Sequence, residues 1–322
     1  MTSRRNLLLG LTGAVVLAGC TELPQQQDEE PDTEPQETEN RSQGEEDQQR
    51  NESEEGESQQ QTDQNGVEED RIEQIATERA AIEDALRTYV AFLDTEGADI
   101  LDVTSLSEEF EYLSIVNSMQ TVSEDLDREA RRESDEELSA EIRTVRQEAR
   151  IIESIARAQN RGQQAAVTTR NYVNEMGDST RLTEIHNTFV PRIESFAEAV
   201  DTVSSRLERL SSPRINEVSL YEAKLTQFQN ELENFRLYAA VHDEYRMGVT
   251  SLSRGLLDLE NENYSSAEES GRTAVERFEQ VSDELSGTTD ALQPLTDELV
   301  SQVESDMETA RALKTITTEL SN

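Results

Sequence analysis

The chain has 322 residues, with 70 acidic against 29 basic side chains and a formal net charge of −41; hydrophobic residues make up 34%, aromatics 4%, and there is no Trp and one Cys. A single Cys cannot pair within the chain, which excludes a disulfide scaffold. Phosphate binding needs a basic surface, which excludes nucleic acid as a partner, and a polytopic membrane protein would need long apolar stretches that are missing here.

The first 19 residues read as an export signal rather than as part of the fold. Ser3-Arg4-Arg5-Asn6-Leu7-Leu8 carries paired arginines ahead of an apolar run, Leu7 to Ala18, that Gly10, Thr12 and Gly13 interrupt. That run is shorter than the ~20 residues a membrane-spanning helix needs. Leu17-Ala18-Gly19-Cys20 follows it. These motifs, in this order, resemble the twin-arginine signal and lipobox of haloarchaeal exported lipoproteins. The resemblance covers the first 20 residues. It implies recognition of Arg4 and Arg5 for export, cleavage before Cys20, a lipid on Cys20 and a protein held at the outer face of the cell membrane. The basic residues agree with such a source: only Lys224 and Lys314 are Lys, and the other 27 are Arg. A large acidic excess nearly devoid of Lys resembles proteins of extreme halophiles, whose repulsion is screened to a few Å in molar salt.

Residues 20–70 read as a lipidated Cys followed by an acidic linker. From Pro24 to Gly66 there is no Val, Ile, Leu, Met, Phe, Trp or Tyr, and residues 21–70 hold 19 acidic against two basic side chains. Nothing there offsets chain entropy by burial, so a disordered spacer of roughly 40 Å is expected. Asn40-Arg41-Ser42 and Asn51-Glu52-Ser53 are candidate N-glycosylation sequons.

Residues 71–322 carry 51 acidic and 25 basic side chains, yet their apolar positions recur at the helical period. A first helix is predicted over Ile72 to Leu93, ending near Gly97. A capping box at Ser105-Leu106-Ser107-Glu108 predicts the start of a second, and one at Ser134-Asp135-Glu136-Glu137 the start of a third, which either joins the second or breaks from it and stops at Gly177. Leu182 to Leu210 predicts a fourth, kinked at Pro191. Ser212-Pro213 predicts the start of a fifth and longest helix, reaching about residue 261 and roughly 70 Å in length. Ser265-Ser266-Ala267-Glu268 predicts the start of a sixth, ended by Gly287, and Leu292 to Leu320 a seventh with Pro294 in its first turn or at a kink. The expected fold is all-α: an elongated antiparallel bundle of about seven long helices with coiled-coil-like packing and a slender, Ala-rich core. Gly255, Tyr264-Ser265-Ser266-Ala267 and Ala274 resemble one tetratricopeptide hairpin. Arg254 stands where that pattern has Leu, Gly271 where it has an aromatic, and no terminal Pro or second copy follows. The resemblance implies a local helix-turn-helix at 251–278 with a protein-binding face, not a repeat array.

No catalytic motif emerges. Thr183 and Ala239 stand three residues before His186 and His242, where a carboxylate-bridged di-iron bundle has Glu. There is no Gly-x-Ser-x-Gly, no P-loop and no Gly-x-Gly-x-x-Gly. The acidic run from Asp258 to Asn263 lacks the glycine and terminal Glu of a calcium loop, so a solvated turn is expected, with no metal site and no cofactor. The sequence thus reads as a non-enzymatic, membrane-anchored lipoprotein whose helical domain binds or scaffolds another envelope protein. The alternative is a ligand-binding or sensory bundle serving a transporter or receptor, with a pocket at His242, Tyr245 and Arg246. A hydrolase with a non-standard site is a third.

Overall fold

The computed structural model describes residues 56–93, 95–133, 135–210 and 218–321, with side chains from Glu69 onward apart from Ser179. Among them the fold is all-α, in the order α1 (Gly56–Val90), α2 (Tyr112–Ala130), α3 (Glu136–Asn174), α4 (Ser179–Glu208), α5 (Val218–Ala240), α6 (His242–Glu260), α7 (Tyr264–Leu285) and α8 (Gln293–Ser321), with a 3-10 turn at Asp290–Leu292 before α8. All lie in one compact unit, Glu54–Asn322. Consecutive helices pack along one another from α1 to α5 and from α6 to α8. The short connections from α2 to α3, α3 to α4, α6 to α7 and α7 to α8 make those neighbours antiparallel.

The boundaries differ from the sequence expectation in several places, each for a local reason. Helix α1 reaches back to Gly56, into the segment expected to be disordered. Gln and Glu there are good helix formers, and extending an existing helix costs far less than nucleating one. The Ser105 box opens no helix: α2 starts at Tyr112, and the Ser105 hydroxyl is engaged by Glu231 instead. Helices α2 and α3 are separate, and the cap of α3 is Asp135, whose carboxylate accepts from the Leu138 N–H at 2.8 Å. Helix α3 stops at Asn174, just before Gly177, which takes φ +106. Helix α4 runs through Pro191 and is capped by Asp178, which accepts from Thr180 N and Arg181 N. The predicted start of the fifth helix at Ser212-Pro213 lies outside the described residues.

The expected rod from 213 to about 261 divides at Val241 into α5 and α6. The backbone is barely interrupted, since Val241 N–H still donates to Leu237 O (3.2 Å) and its carbonyl accepts from Tyr245 N (3.0 Å). The two halves follow different partners: α5 packs on α3 and α4, α6 chiefly on α7. Helix α6 ends on Glu262 at φ +62, with Asn263 N–H reaching back to Asp258 O at 2.8 Å, a left-handed helix stop built without glycine. Helix α7 starts at Tyr264 after Asn263, so Ser265 is inside it rather than capping it.

The core is more aromatic than the Ala-rich stripes suggest. Phe196 meets Phe228 and Phe235 edge-on at 5.9 and 6.0 Å, and Phe189 meets Phe235 at 6.4 Å, joining α4 to α5. Such pairs add to the burial of large rings. At the α6–α7 hairpin a side chain on Gly255 would collide with Leu313 of α8 and Ser270 of α7, so its glycine permits the close approach of three helices. Gly248 does the same for Phe278, whose ring edge would lie 2.6 Å from an added Cβ. Phe278 is fully buried against Tyr245 and cannot step aside. Gly248→Ala gains about 1 kcal/mol of helix propensity but overpacks the core at about 1–3 kcal/mol. The urea midpoint of the variant is therefore expected below that of the parent; an unchanged or raised midpoint would show that this helix contact is loose.

Candidate functional site

Helix α5 packs on α3 and α4, and its buried face is polar at every turn. Tyr221, Lys224, Phe228, Glu231, Asn234, Phe235 and Tyr238 are all at most 1% exposed. Their spacing of three and four residues places them on one stripe. Each polar member holds a different part of the chain. Tyr221 donates to Glu148 of α3 at 3.0 Å. Asn234 exchanges hydrogen bonds with the backbone of Thr289, giving 2.9 Å to its carbonyl and accepting 2.8 Å from its N–H. The Tyr238 and Thr296 hydroxyls pair at 2.6 Å.

The centre of this stripe is Lys224 with Glu231. The Lys224 ammonium donates to the Val103 carbonyl and to Gln227 Oε1 (3.0 Å), and it lies over the Phe228 and Tyr89 rings at 4.7 and 5.6 Å. Glu231 accepts from the Ser105 hydroxyl at 2.5 Å and from the Ser105 N–H at 3.3 Å. Gln227 links the two charges, its amide reaching Glu231 Oε1 (3.4 Å) and Leu101 O (3.2 Å). Burial pushes the ammonium down to about 7 and the Glu231 carboxyl upward; each opposes the other's shift, and Ser105 further favours the carboxylate. Lys224 and Gln227 both donate to carbonyls of the segment 99–108, and Glu231 accepts from its Ser105, so this irregular stretch does not bury unpaired groups there.

That segment in turn walls a groove over α3 and α4. Gln159 donates to Thr104 O at 2.7 Å and Gln163 to Ser107 O, while Arg170 pairs with Glu108. Gly162 of α3 makes room for Ser105, whose oxygen would lie 2.1 Å from a side chain at that position. Beside the wall is a cavity of about 620 Å³. It adjoins a second of about 310 Å³, and Asn160 and Gln164 line both. Five arginines face the pair: Arg157, Arg161 and Arg206 in the smaller, Arg170 and Arg192 in the larger. Glu108 and Glu198 are the only carboxylates among the lining residues.

Of the residues expected to form a ligand pocket, His242 and Tyr245 are packed into a helix junction and Arg246 is partly exposed beside them. His242 and Tyr245 are buried, at 3% and 0% exposure. His242 stacks on His186 at 3.8 Å and faces the Tyr172 hydroxyl, 3.2 Å from its Nδ1. Burial, then the His186 neighbour, push His242 down to about 4, although Asp243 opposes this, and burial also lowers His186. The Tyr245 hydroxyl donates to Asp306 of α8, and Arg246 lies 3.7 Å from Asp243. His242, Tyr245 and Arg246 line neither groove cavity. Asp258, in the acidic run, lies 3.9 Å from Arg254, and no cluster of metal-ligating side chains occurs among the described residues. Arg4, Arg5, Cys20, Asn40 and Asn51 lie outside the described residues, and no described helix is long and apolar enough to cross a membrane.

Four large apolar side chains are exposed near the ends of α6 and α8. Leu256 and Leu257 near the end of α6 are 43% and 58% exposed, and Ile316 and Leu320 near the end of α8 are 46% and 51% exposed. Gly255 packing on Leu313 places these two helix ends side by side. No family model, curated protein or solved structure matches the chain.

Sequence reading by apolar period missed the α5 stripe because its members are polar, but the composition held a signal. Lys224 is one of two lysines in a chain with 27 arginines. A slender ammonium can be satisfied by two acceptors and two rings, whereas a guanidinium brings five donors and more bulk. Lys224→Arg is therefore expected to destabilise by about 2 kcal/mol or more through overpacking despite the retained charge. Lys224→Met leaves Glu231 buried and alone, at a cost of about 3–5 kcal/mol, whereas the double variant Lys224→Met/Glu231→Gln recovers most of that loss. Lys224 also makes a signed pH prediction. Its folded pKa of about 7 lies below the unfolded 10.5, so between these values the unfolded chain binds the extra proton. Stability attributable to Lys224, read as parent minus Lys224→Met in urea unfolding, should rise from pH 7 to pH 10. A flat difference would show that the amine is charged and solvated in the fold.

Proposed function

We propose that the protein is an exported, lipid-anchored envelope lipoprotein whose helical domain is a non-enzymatic binding and scaffolding module for another envelope protein. The anchor rests on the order of Arg4 and Arg5, a short apolar run and Cys20, the sole cysteine. An acidic segment without large apolar side chains from Pro24 to Gly66 then sets the helical domain off from the membrane surface. The observation that carries the binding role is the apolar end of α6 and α8. In a chain of net charge −41, Leu256, Leu257, Ile316 and Leu320 leave their side chains at the surface on neighbouring helix ends. Apolar side chains grouped on an otherwise charged surface mark contact sites. A helix pair joined by tight glycine contacts offers them on a rigid frame, as the tetratricopeptide-like pattern at 251–278 implies.

Two substitutions test the two halves of this reading. Cys20→Ser should move the protein from the membrane fraction to the soluble exported fraction; retention in the membrane would remove the anchor. Leu257→Asp with Leu320→Asp should abolish the partner recovered by cross-linking on intact cells in high salt while leaving the melting curve unchanged. A partner captured equally by this variant would place the contact elsewhere on the bundle.

A further inference from the structure

We propose that the groove between α3, α4 and the 104–108 segment is a binding site for an acidic saccharide, a polyol that carries carboxylates. It is separate from the apolar end of α6 and α8 and does not depend on the anchor.

The first argument is charge. The body of the chain has about twice as many acidic as basic side chains, yet the lining of the two adjoining cavities reverses that balance, with five arginines against Glu108 and Glu198. Glu153, at the edge, is shared by Arg157 and Arg206 at 3.0 and 3.1 Å, which still leaves the groove positive. Keeping such a site positive in so acidic a protein runs against the composition of its whole surface.

The second argument is geometry. Arg161 and Arg192 come from different helices and, among the described residues, have no carboxylate within ion-pair distance. Both instead donate to one neutral atom, Gln164 Oε1, at 3.5 and 2.7 Å. Gln164 lines both cavities. A single amide oxygen cannot satisfy two five-donor guanidinium groups, so both arginines keep donors available to a ligand at the groove they line. Two converging forks are the arrangement that grips a planar carboxylate.

The third argument is the remainder of the lining. The smaller cavity adds the hydroxyls of Tyr112 and Ser195 to the amide of Asn160, while the Ser154 and Thr202 hydroxyls, whose protons go to Ile151 O and Glu198 O, add acceptors alone. Neutral groups that both donate and accept suit sugar hydroxyls, whereas a peptide of acidic side chains has few groups to match them. Two joined cavities meeting at Gln164 fit a ligand longer than a single anion, with its charge held at the junction. The Lys224–Glu231 constellation gives the site a fixed wall, because it holds Ser105 and thereby the segment carrying Ser107 and Glu108.

The test is calorimetric titration of the full chain in molar KCl with a tetrasaccharide alternating a uronic acid and a neutral N-acetyl sugar. Comparison probes are a neutral tetrasaccharide of equal length, a tetraglutamate peptide and inorganic sulfate. The uronate saccharide should bind and the neutral one should not. Arg161→Gln/Arg192→Gln should weaken binding by about tenfold or more, the loss expected for charge-assisted hydrogen bonds. Gln164→Glu should weaken it equally without removing an arginine, because the new carboxylate occupies both forks. Arg254→Gln, on α6, should bind like the parent. Thermal melts of each variant should match the parent, since Arg161 and Arg192 are exposed. Absence of saccharide binding, or equal binding by the Gln164→Glu variant, would overturn the proposal. Tetraglutamate binding as tightly as the saccharide would make the site a peptide site, and sulfate binding as tightly would reduce it to a simple anion contact; either result overturns the saccharide assignment.

Discussion

The structure turns on one pair of buried charges. Lys224 and Glu231 are both fully excluded from solvent on α5. Neither ion would tolerate that environment alone, since removing a charge from water costs several kcal/mol even after relaxation. They are tolerable together because each also satisfies backbone groups that have no helical partner. Lys224 takes the Val103 carbonyl and Glu231 takes the Ser105 N–H. The pair is thus less a stabilising bond than a means of burying an irregular segment between two helices. Asn234 repeats the device further along α5, closing both backbone groups of Thr289 in the α7–α8 connection. A helix with an apolar face would have offered these segments nothing.

The same view assigns roles to the charge of the chain. Ion pairs along the surface, such as Arg87 with Glu83 or Arg272 with Glu276, are exposed on both sides. Exposed pairs of this kind contribute little and are screened further by salt. The fold therefore depends on what salt does not reach: the aromatic contacts of Phe189, Phe196, Phe228 and Phe235 and the polar stripe of α5. In a salt-rich setting this division keeps cohesion in the interior, where screening is weak.

Much of the fold was legible because period and composition speak directly to packing. The stripes from Leu182 to Val203 and from Leu292 to Leu313 fall on buried faces of α4 and α8. Gly177 adopts the positive φ expected beyond a helix end. What failed was local chemistry with a distant competitor. The Ser105 box has the residue spacing of a helix start, but the Ser105 N–H that Glu108 would accept in such a box goes to Glu231, 126 residues away, and Glu108 pairs with Arg170 instead. The division at Val241 was invisible because the apolar period continues smoothly across it; only the choice of partners on either side separates α5 from α6. The groove was illegible for a similar reason. Arg161, Gln164 and Arg192 read as a solvated face, and their convergence exists only once α3 and α4 lie together.

Histidine gives the clearest contrast between a residue that looks chemical and one that is structural. His186 and His242 stack at 3.8 Å with nearly parallel rings. Such an approach is favourable only while both are neutral, and burial lowers both. Their surroundings supply a tyrosine hydroxyl on one side and Asp243 and Arg246 on the other, which offset each other at His242. A neutral stacked pair joins α4 to the start of α6 at the point where α5 gives way to a new helix axis. The two histidines thus serve the packing of α4 against α6.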